Sequence, residues 1–181
     1  MDIQKCNIEM KFSYYDLFSK LKFVTRFSGD NLIQPEKLES HIIEMIGLAF
    51  DLHYGVGGFD LKQAIYLIVI HDIDEAITVD VPRPFKYFSD EFRNLLNKTV
   101  HDYFESLGVD KQFLSDAGSA KKCGIEGKIV KLLDLVQVKK KLETEAALGN
   151  TTLNHKLKRV TTYLDSIRED ESIVKYLNYI I

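Results

Sequence analysis

Apolar residues along this chain recur at spacings of three and four, with no sustained alternation, so the pattern predicts helices almost throughout. Ser13 followed by Asp16 resembles a capping box and opens a first helix running to about Phe27. Pro35 suits the first turn of a second helix, which continues to Tyr54 and stops at Gly55. Asp60 caps a third, which carries the unbroken apolar run Ala64-Ile65-Tyr66-Leu67-Ile68-Val69-Ile70 and ends near Ile77. Pro82 and Pro84 enforce an extended connection. Ser89, with Asp90 and Glu91, opens a fourth helix closed by Leu107-Gly108. Residues 109–124 are polar and broken, a loop with a short turn of helix. A long fifth helix covers about Ile125 to Leu148 and is closed by Gly149-Asn150. Thr151 or Thr152 caps a sixth, and a last short helix ends in the apolar C-terminus. No repeat, low-complexity tract or linker divides these elements. The expectation is one all-α domain over 1–181, with its core in about 13–155 and the C-terminal helices of 152–181 packed on it.

Composition narrows the partners. The 181 residues are 45% hydrophobic and 28% charged, enough for a substantial core, and the net charge is −3. That balance offers no broad attraction to a nucleic-acid polymer or an anionic membrane, so a phosphate-bearing ligand would be held by a few local cations. Cys6 and Cys123 show neither metal-ligand spacing nor a disulfide framework and read as reduced thiols. The start, Met1-Asp2-Ile3-Gln4-Lys5, lacks the apolar region of a signal peptide, and no apolar run approaches the ~18 to 20 residues of a membrane span. The chain is expected to be soluble and cytoplasmic.

Against this background four polar residues are out of place. His71-Asp72 ends the apolar run, where an ionised carboxylate has no water to solvate it and must find a cation, a metal or strong donors. Asp74, Glu75 and Asp80 add three acids close behind. In the second helix Leu38, Ile42, Met45 and Ala49 form an inward stripe that also contains His41. Alone, His41 reads as a core histidine bonded to a carbonyl. In the fifth helix Asp134 lies between Val130 and Val138 with Leu132, Leu133, Leu135 and Val136 around it. It cannot be a cap, helix interiors disfavour aspartate, and Lys128 and Lys131 point to other faces. Asp134 wants a positive charge from another element. One explanation covers all three helices: two imidazoles and two carboxylates can hold a divalent ion with positions open for water and substrate.

Context separates this set from similar letters elsewhere. A second pair, His101-Asp102, lies in a charged amphipathic stretch and reads as a solvated face. Gly55-Val56-Gly57-Gly58 lacks the Gly-Lys-Ser/Thr ending of a phosphate-binding loop and reads as a helix stop. Lys139-Lys140-Lys141 reads as a solvated helix face, His53 and His155 have no acids around them, and Tyr14, Tyr15, Phe18 and Phe23 read as core.

The order His41, His71-Asp72, Asp134 on successive helices resembles the HD-domain phosphohydrolases. The stretch from His71-Asp72 through Glu75, Thr78, Asp80, Pro82 and Pro84 to Lys86-Tyr87 is similar to the HD-x-x-E-x-x-T-G-D-x-P-x-P-x-K-Y pattern of the YfbR-like 5′-deoxynucleotidases. Ile129 to Asp134, the downstream Leu142 to Asn150, and Arg26 also resemble that family, so the similarity spans about 13–155. The resemblance implies His41, His71, Asp72 and Asp134 as ligands of one divalent ion of the cobalt, manganese or zinc class. It implies Arg26 as the group orienting the phosphate, and Glu75 and Asp80 as acid/base carboxylates. Arg26, Phe27, His41, Asp72, Asp80, Val81, Pro82 and Arg83 would line the deoxynucleotide site, and members form homodimers or larger homo-oligomers. Three positions depart from the family: Phe27 stands where it has Trp beside the sugar, Ser40 where it has Glu, and Val79 where it has Gly. Residues 109–124 match poorly; relatives often carry another active-site acid there, for which Asp116 or Glu126 are the available candidates.

The expected chemistry is metal-assisted hydrolysis of a phosphoester. Glu75, three residues after Asp72, would orient the attacking water, and Asp80 would protonate the leaving oxygen. Two reactions fit: release of phosphate from deoxynucleoside monophosphates, which the motif favours, and release of tripolyphosphate from a dNTP, as in compact phage dATP triphosphohydrolases. A third reading, of another class, is a non-catalytic HD module that binds nucleotide or metal. The retained set of Arg26, Glu75, Asp80 and all four expected ligands argues against it, since a binding module has no need of a water-orienting carboxylate.

Overall fold

The computed structural model describes residues 12–181, so the expectation for Cys6 lies outside the described residues. Helix α1 spans Tyr14–Ser19, with the Ser13 hydroxyl accepting from Asp16 N, and gives way to a 3-10 turn at Leu21–Phe23. It does not reach Phe27. The β-branched pair Val24-Thr25 leaves the helical region, and its backbone groups pair instead with the segment before the next helix. Thr25 bridges Lys37, Arg26 N donates to Glu36 O at 2.9 Å, and Leu38 N donates to Val24 O at 3.0 Å. Helix α2 (Leu38–Gly55) therefore begins after Pro35, because this bridge uses the backbone just beyond the proline.

Helix α3 (Leu61–Ile70) is capped by Asp60 and carries the apolar run. It ends seven positions before the expected Ile77: residues 71–74 form a turn, and a separate one-turn helix α4 follows at Glu75–Thr78. Pro82 and Pro84 do not simply extend the chain. Pro82 precedes, and Pro84 lies within, a one-turn helix α5 (Arg83–Lys86), the place where a missing N–H costs nothing. Helix α6 (Asp90–Ser106) is capped by Ser89 as expected. The supposed loop at 109–124 contains a nine-residue helix, α7 (Lys111–Ser119), because Asp110 accepts from both Gln112 N and Phe113 N. Helix α8 (Gly124–Ala147) is the long one. Thr151 and Thr152 lie in a 3-10 turn rather than capping, and α9 (Asn154–Ile167) and α10 (Val174–Ile180) complete the chain.

The fold is all-α as expected, and the described residues contain no strand. Helices α2, α3 and α8 pack on one another, α9 runs along α8, and α10 seats against α2, α8 and α9. Their buried faces form one cluster: Leu38, Met45 and Leu52 from α2, Leu67, Ile68 and Ile70 from α3, Ile129, Leu132 and Leu133 from α8, Tyr176 and Leu177 from α10. Each such side chain contributes about 1.5–3 kcal/mol by leaving water. Tyr66 on α3 donates to Asp116 on α7 at 2.9 Å and ties the seventh helix to the core. Among the described residues no helix is long and apolar enough to cross a membrane.

Candidate metal centre

The three central helices bring their misplaced polar residues to one point. His41 is fully buried on α2, His71 is buried at the C-terminal end of α3, and Asp134 is buried on α8. One ligand atom from each lies within 4.8 Å of the others. Asp72 joins them, its Oδ2 being 3.0 Å from His71 Nε2. His101, Asp102 and Glu105 make a second such group, but all three are exposed and Asp102 is paired with Lys98.

Hydrogen bonds on the far side of each ring decide what the near side presents. His71 Nδ1 lies 2.6 Å from the Ile68 carbonyl, which can only accept, so Nδ1 carries a hydrogen. His41 Nδ1 lies 2.6 Å from Gln137 Oε1, and the Gln137 amide nitrogen is already donating to Glu36 Oε1 and Glu44 Oε2 at 2.8 and 2.9 Å. In its neutral form each ring therefore turns an unprotonated Nε2 inward. Both Nε2 atoms are buried without a hydrogen-bond partner. His41 Nε2 faces Asp134 Oδ1 at 3.4 Å and His71 Nε2 faces Asp72 Oδ2 at 3.0 Å. Two imidazole nitrogens and the carboxylate oxygens that face them thus meet at the centre of the fold, a donor set of nitrogen and oxygen that suits a divalent ion.

Two cations surround these acids. Lys121 donates to Asp134 Oδ2 at 2.8 Å and to Asp72 Oδ1 at 3.1 Å, so each carboxylate gives one oxygen to the lysine and turns the other toward an imidazole. Lys121 reaches the site because the turn after α7 lies against α8 at Gly127, where a Cβ would come within 3.0 Å of Lys122 N. Arg26 lies 3.6 Å from Asp72 Oδ2 and 3.8 Å from Asp134 Oδ1, and its Nε donates to Glu36 at 3.0 Å. Burial opposes ionisation of Asp72, yet the Lys121 and Arg26 cations hold its carboxyl well below the usual range. Asp134 behaves alike, with the Lys121 ammonium overcoming burial. Burial pushes the His41 imidazole down against the pull of Asp134, so a proton on that ring is a poor substitute for a metal.

The remaining residues flank this centre. Burial, then Asp72 and Asp80, push Glu75 up to about 9, and its Oε2 is buried without a partner. Asp80 accepts from Ser28 N at 3.1 Å, which joins the acid to the segment that follows Arg26 and Phe27. The Arg26 guanidinium lies 5.9 Å from the Phe27 ring. Pro82 faces Gly29, and Arg83 is exposed in α5. Asp116 and Glu126 are engaged elsewhere, with Tyr66 and Asp60 N respectively. What residues 109–124 bring to the site is a lysine. Lys141 is not on a solvated face: it bonds the Gln34 carbonyl and the buried Glu145. Lys121, Glu36 and Gln137 carried no periodic signal, although Gln137 follows Asp134 by three in an apolar helix face and shares its anomaly.

A family model described as 5′-deoxynucleotidase YfbR-like matches residues 13–181. Among solved structures, the fold is similar to that of an HD-domain phosphohydrolase from Listeria innocua, with TM-score 0.71, 20% identity, and coverage of 91% of this chain and 84% of that one. A conserved hypothetical protein from Pyrococcus furiosus gives TM-score 0.70 at 21% identity, covering 92% and 94%. The HD phosphohydrolase DatZ of cyanophage S-2L, bound to dA and one catalytic Zn²⁺ ion, gives TM-score 0.62 at 18% identity, covering 94% and 98%. No curated protein matches the chain.

Proposed function

The chain belongs to the YfbR-like 5′-deoxynucleotidase family, and from that premise we propose that it is a divalent-metal-dependent phosphohydrolase releasing phosphate from deoxynucleoside 5′-monophosphates. The observation that carries the reading is the convergence of two unprotonated imidazole nitrogens and two carboxylate oxygens in a buried centre. His41, His71, Asp72 and Asp134 would hold the ion, of the cobalt, manganese or zinc class. A divalent ion held there supplies Lewis acidity toward a phosphoryl group and toward water.

The chain's own residues supply the rest. Arg26, fixed by Glu36, makes charge-assisted hydrogen bonds to the phosphate and stabilises the charge that develops on it. Glu75 orients the attacking water; its raised proton affinity makes the ionised carboxylate the stronger acceptor for that water's proton. Asp80, held by Ser28 N through one oxygen, would give a proton carried on its other oxygen to the leaving 5′-oxygen. Phe27, Val81, Pro82 and Arg83 line the side where the nucleoside lies, and Lys121 holds the outer oxygens of both carboxylate ligands. The same reading places the protein in the cytoplasm as a homodimer or larger homo-oligomer.

Removal of tripolyphosphate from a dNTP is the rival reaction, supported by the likeness in fold to the cyanophage protein bound to dA. Chelation, metal add-back and product identification with dAMP and dATP test both. Phosphate from dAMP supports the monophosphatase, tripolyphosphate from dATP overturns it in favour of the rival, and a metal-replete protein inert on a full deoxynucleotide panel leaves the non-catalytic module.

A further inference from the structure

We propose that Gln137 is a positioning residue that fixes the tautomer of His41 and couples it to Arg26, an inference that rests on the reading of His41 as a metal ligand. Gln137 is 1% exposed, and every hydrogen-bonding capacity of its amide that faces the core is used. Its oxygen lies 2.6 Å from His41 Nδ1, and its nitrogen donates to Glu36 Oε1 and Glu44 Oε2. The two carboxylates accept only, so the amide cannot flip without placing its oxygen against them. That one-sided environment decides which end of Gln137 meets the imidazole. His41 consequently keeps its hydrogen on Nδ1 and its lone pair on Nε2, the atom that faces Asp134.

Glu36 extends the chain. One of its oxygens accepts from Gln137 and the other from Arg26 Nε at 3.0 Å. Two functional groups on different elements, the imidazole and the guanidinium, are therefore held by one continuous path, His41–Gln137–Glu36–Arg26. Nothing in it is a solvent contact that could relax freely, since His41, Gln137 and Glu36 are all buried.

The test compares wild type, Gln137→Leu and Gln137→Glu. Each is folded by circular dichroism, titrated with Mn²⁺, and examined by ¹⁵N NMR of its histidine side chains in the metal-free state. Wild type is expected to show His41 as a single Nδ1–H tautomer. Gln137→Leu removes the acceptor and should give a mixture of tautomers with Mn²⁺ affinity lower by about 10–100-fold. Gln137→Glu keeps an acceptor toward His41 and should keep the Nδ1–H tautomer, at a cost in stability because its second oxygen meets Glu36 and Glu44. Wild-type His41 found as Nε2–H, or Gln137→Leu with wild-type tautomer and affinity, overturns the proposal. The wild-type tautomer decides the matter even if Gln137→Leu does not fold. Failure of wild type itself to bind Mn²⁺ overturns the metal reading instead, and the two results cannot be confused.

Discussion

Lys121 Nζ lies 2.8 Å from Asp134 Oδ2, and the same ammonium reaches Asp72 Oδ1 at 3.1 Å. Two buried acids thus share one cation on their outer side while their inner oxygens face the histidines. Breaking a buried pair by removing one partner strands the other charge, at a cost of about 3–5 kcal/mol. Lys121→Met should therefore destabilise the metal-free protein by about that amount in urea unfolding. Saturating Mn²⁺ should shrink the loss, because a bound dication neutralises the same carboxylates. Equal destabilisation with and without Mn²⁺ would show that Lys121 and the ion do not share these acids.

Asp134→Ala removes the carboxylate that faces both His41 and Lys121. It should abolish retention of the divalent ion and turnover together, read by metal analysis after gel filtration and by phosphate release. A fully active Asp134→Ala protein would sink the ligand assignment.

The candidate ligand residues were legible because each violates its helix's apolar pattern: His41 on the α2 stripe, His71-Asp72 at the end of the α3 run, Asp134 between two valines. Desolvation makes such residues conspicuous. Lys121 was not, since a lysine in a polar stretch breaks no pattern, and only the packing of the turn against Gly127 delivers it. Nor was the early end of α3 visible. Apolar residues continue through Ile73, Ala76 and Ile77, so the helical period runs unbroken across the turn at 71–74. Helix α7 was hidden for a different reason: its stability rests on the Asp110 cap and on docking through Tyr66 and Asp116, not on a long periodic face.

Val79 marks a local conflict between residue and backbone. It follows α4 with φ 54° and ψ −178°, a region nearly closed to a β-branched side chain, and its side chain is largely exposed. The family pattern has glycine at this position. Relief of strain of about 1–3 kcal/mol outweighs the roughly 0.5–1 kcal/mol entropic cost of glycine. Val79→Gly should raise stability by about 1 kcal/mol, seen as a higher melting temperature in calorimetry. A lower melting temperature would mean that the valine side chain contributes packing that its exposure does not suggest.

Glu75 should be separable from metal binding. Its Oε2 is buried and unpartnered, and it is not among the atoms that converge between the histidines. Glu75→Gln should lower kcat by about 10²–10⁴-fold, the usual worth of a positioned acid or base. Mn²⁺ affinity should stay near wild type. Loss of Mn²⁺ binding in this variant would move Glu75 from water orientation to ion binding.

Far from the chemistry, Glu145 joins the loop before α2 to the end of α8. It is fully buried and accepts from Ile33 N at 2.7 Å, Gln34 N at 2.9 Å, Asn150 at 2.9 Å and Lys141 at 3.2 Å. Burial works against its charge, but these donors bring the carboxyl from 4.5 down to about 2. A folded-state pKa below the unfolded one means that the unfolded chain binds the proton first as pH falls. The contribution is complete above pH 4.5 and is lost progressively between 4.5 and about 2. Glu145→Gln should cost about 2–3 kcal/mol at pH 7, since a buried ionic acceptor of several donors becomes a neutral amide with hydrogens of its own. The difference between variant and wild type should narrow as unfolding is repeated from pH 5 down to pH 2.5. A gap that stays constant over that range would mean that the Glu145 charge is not what holds the loop to the helix.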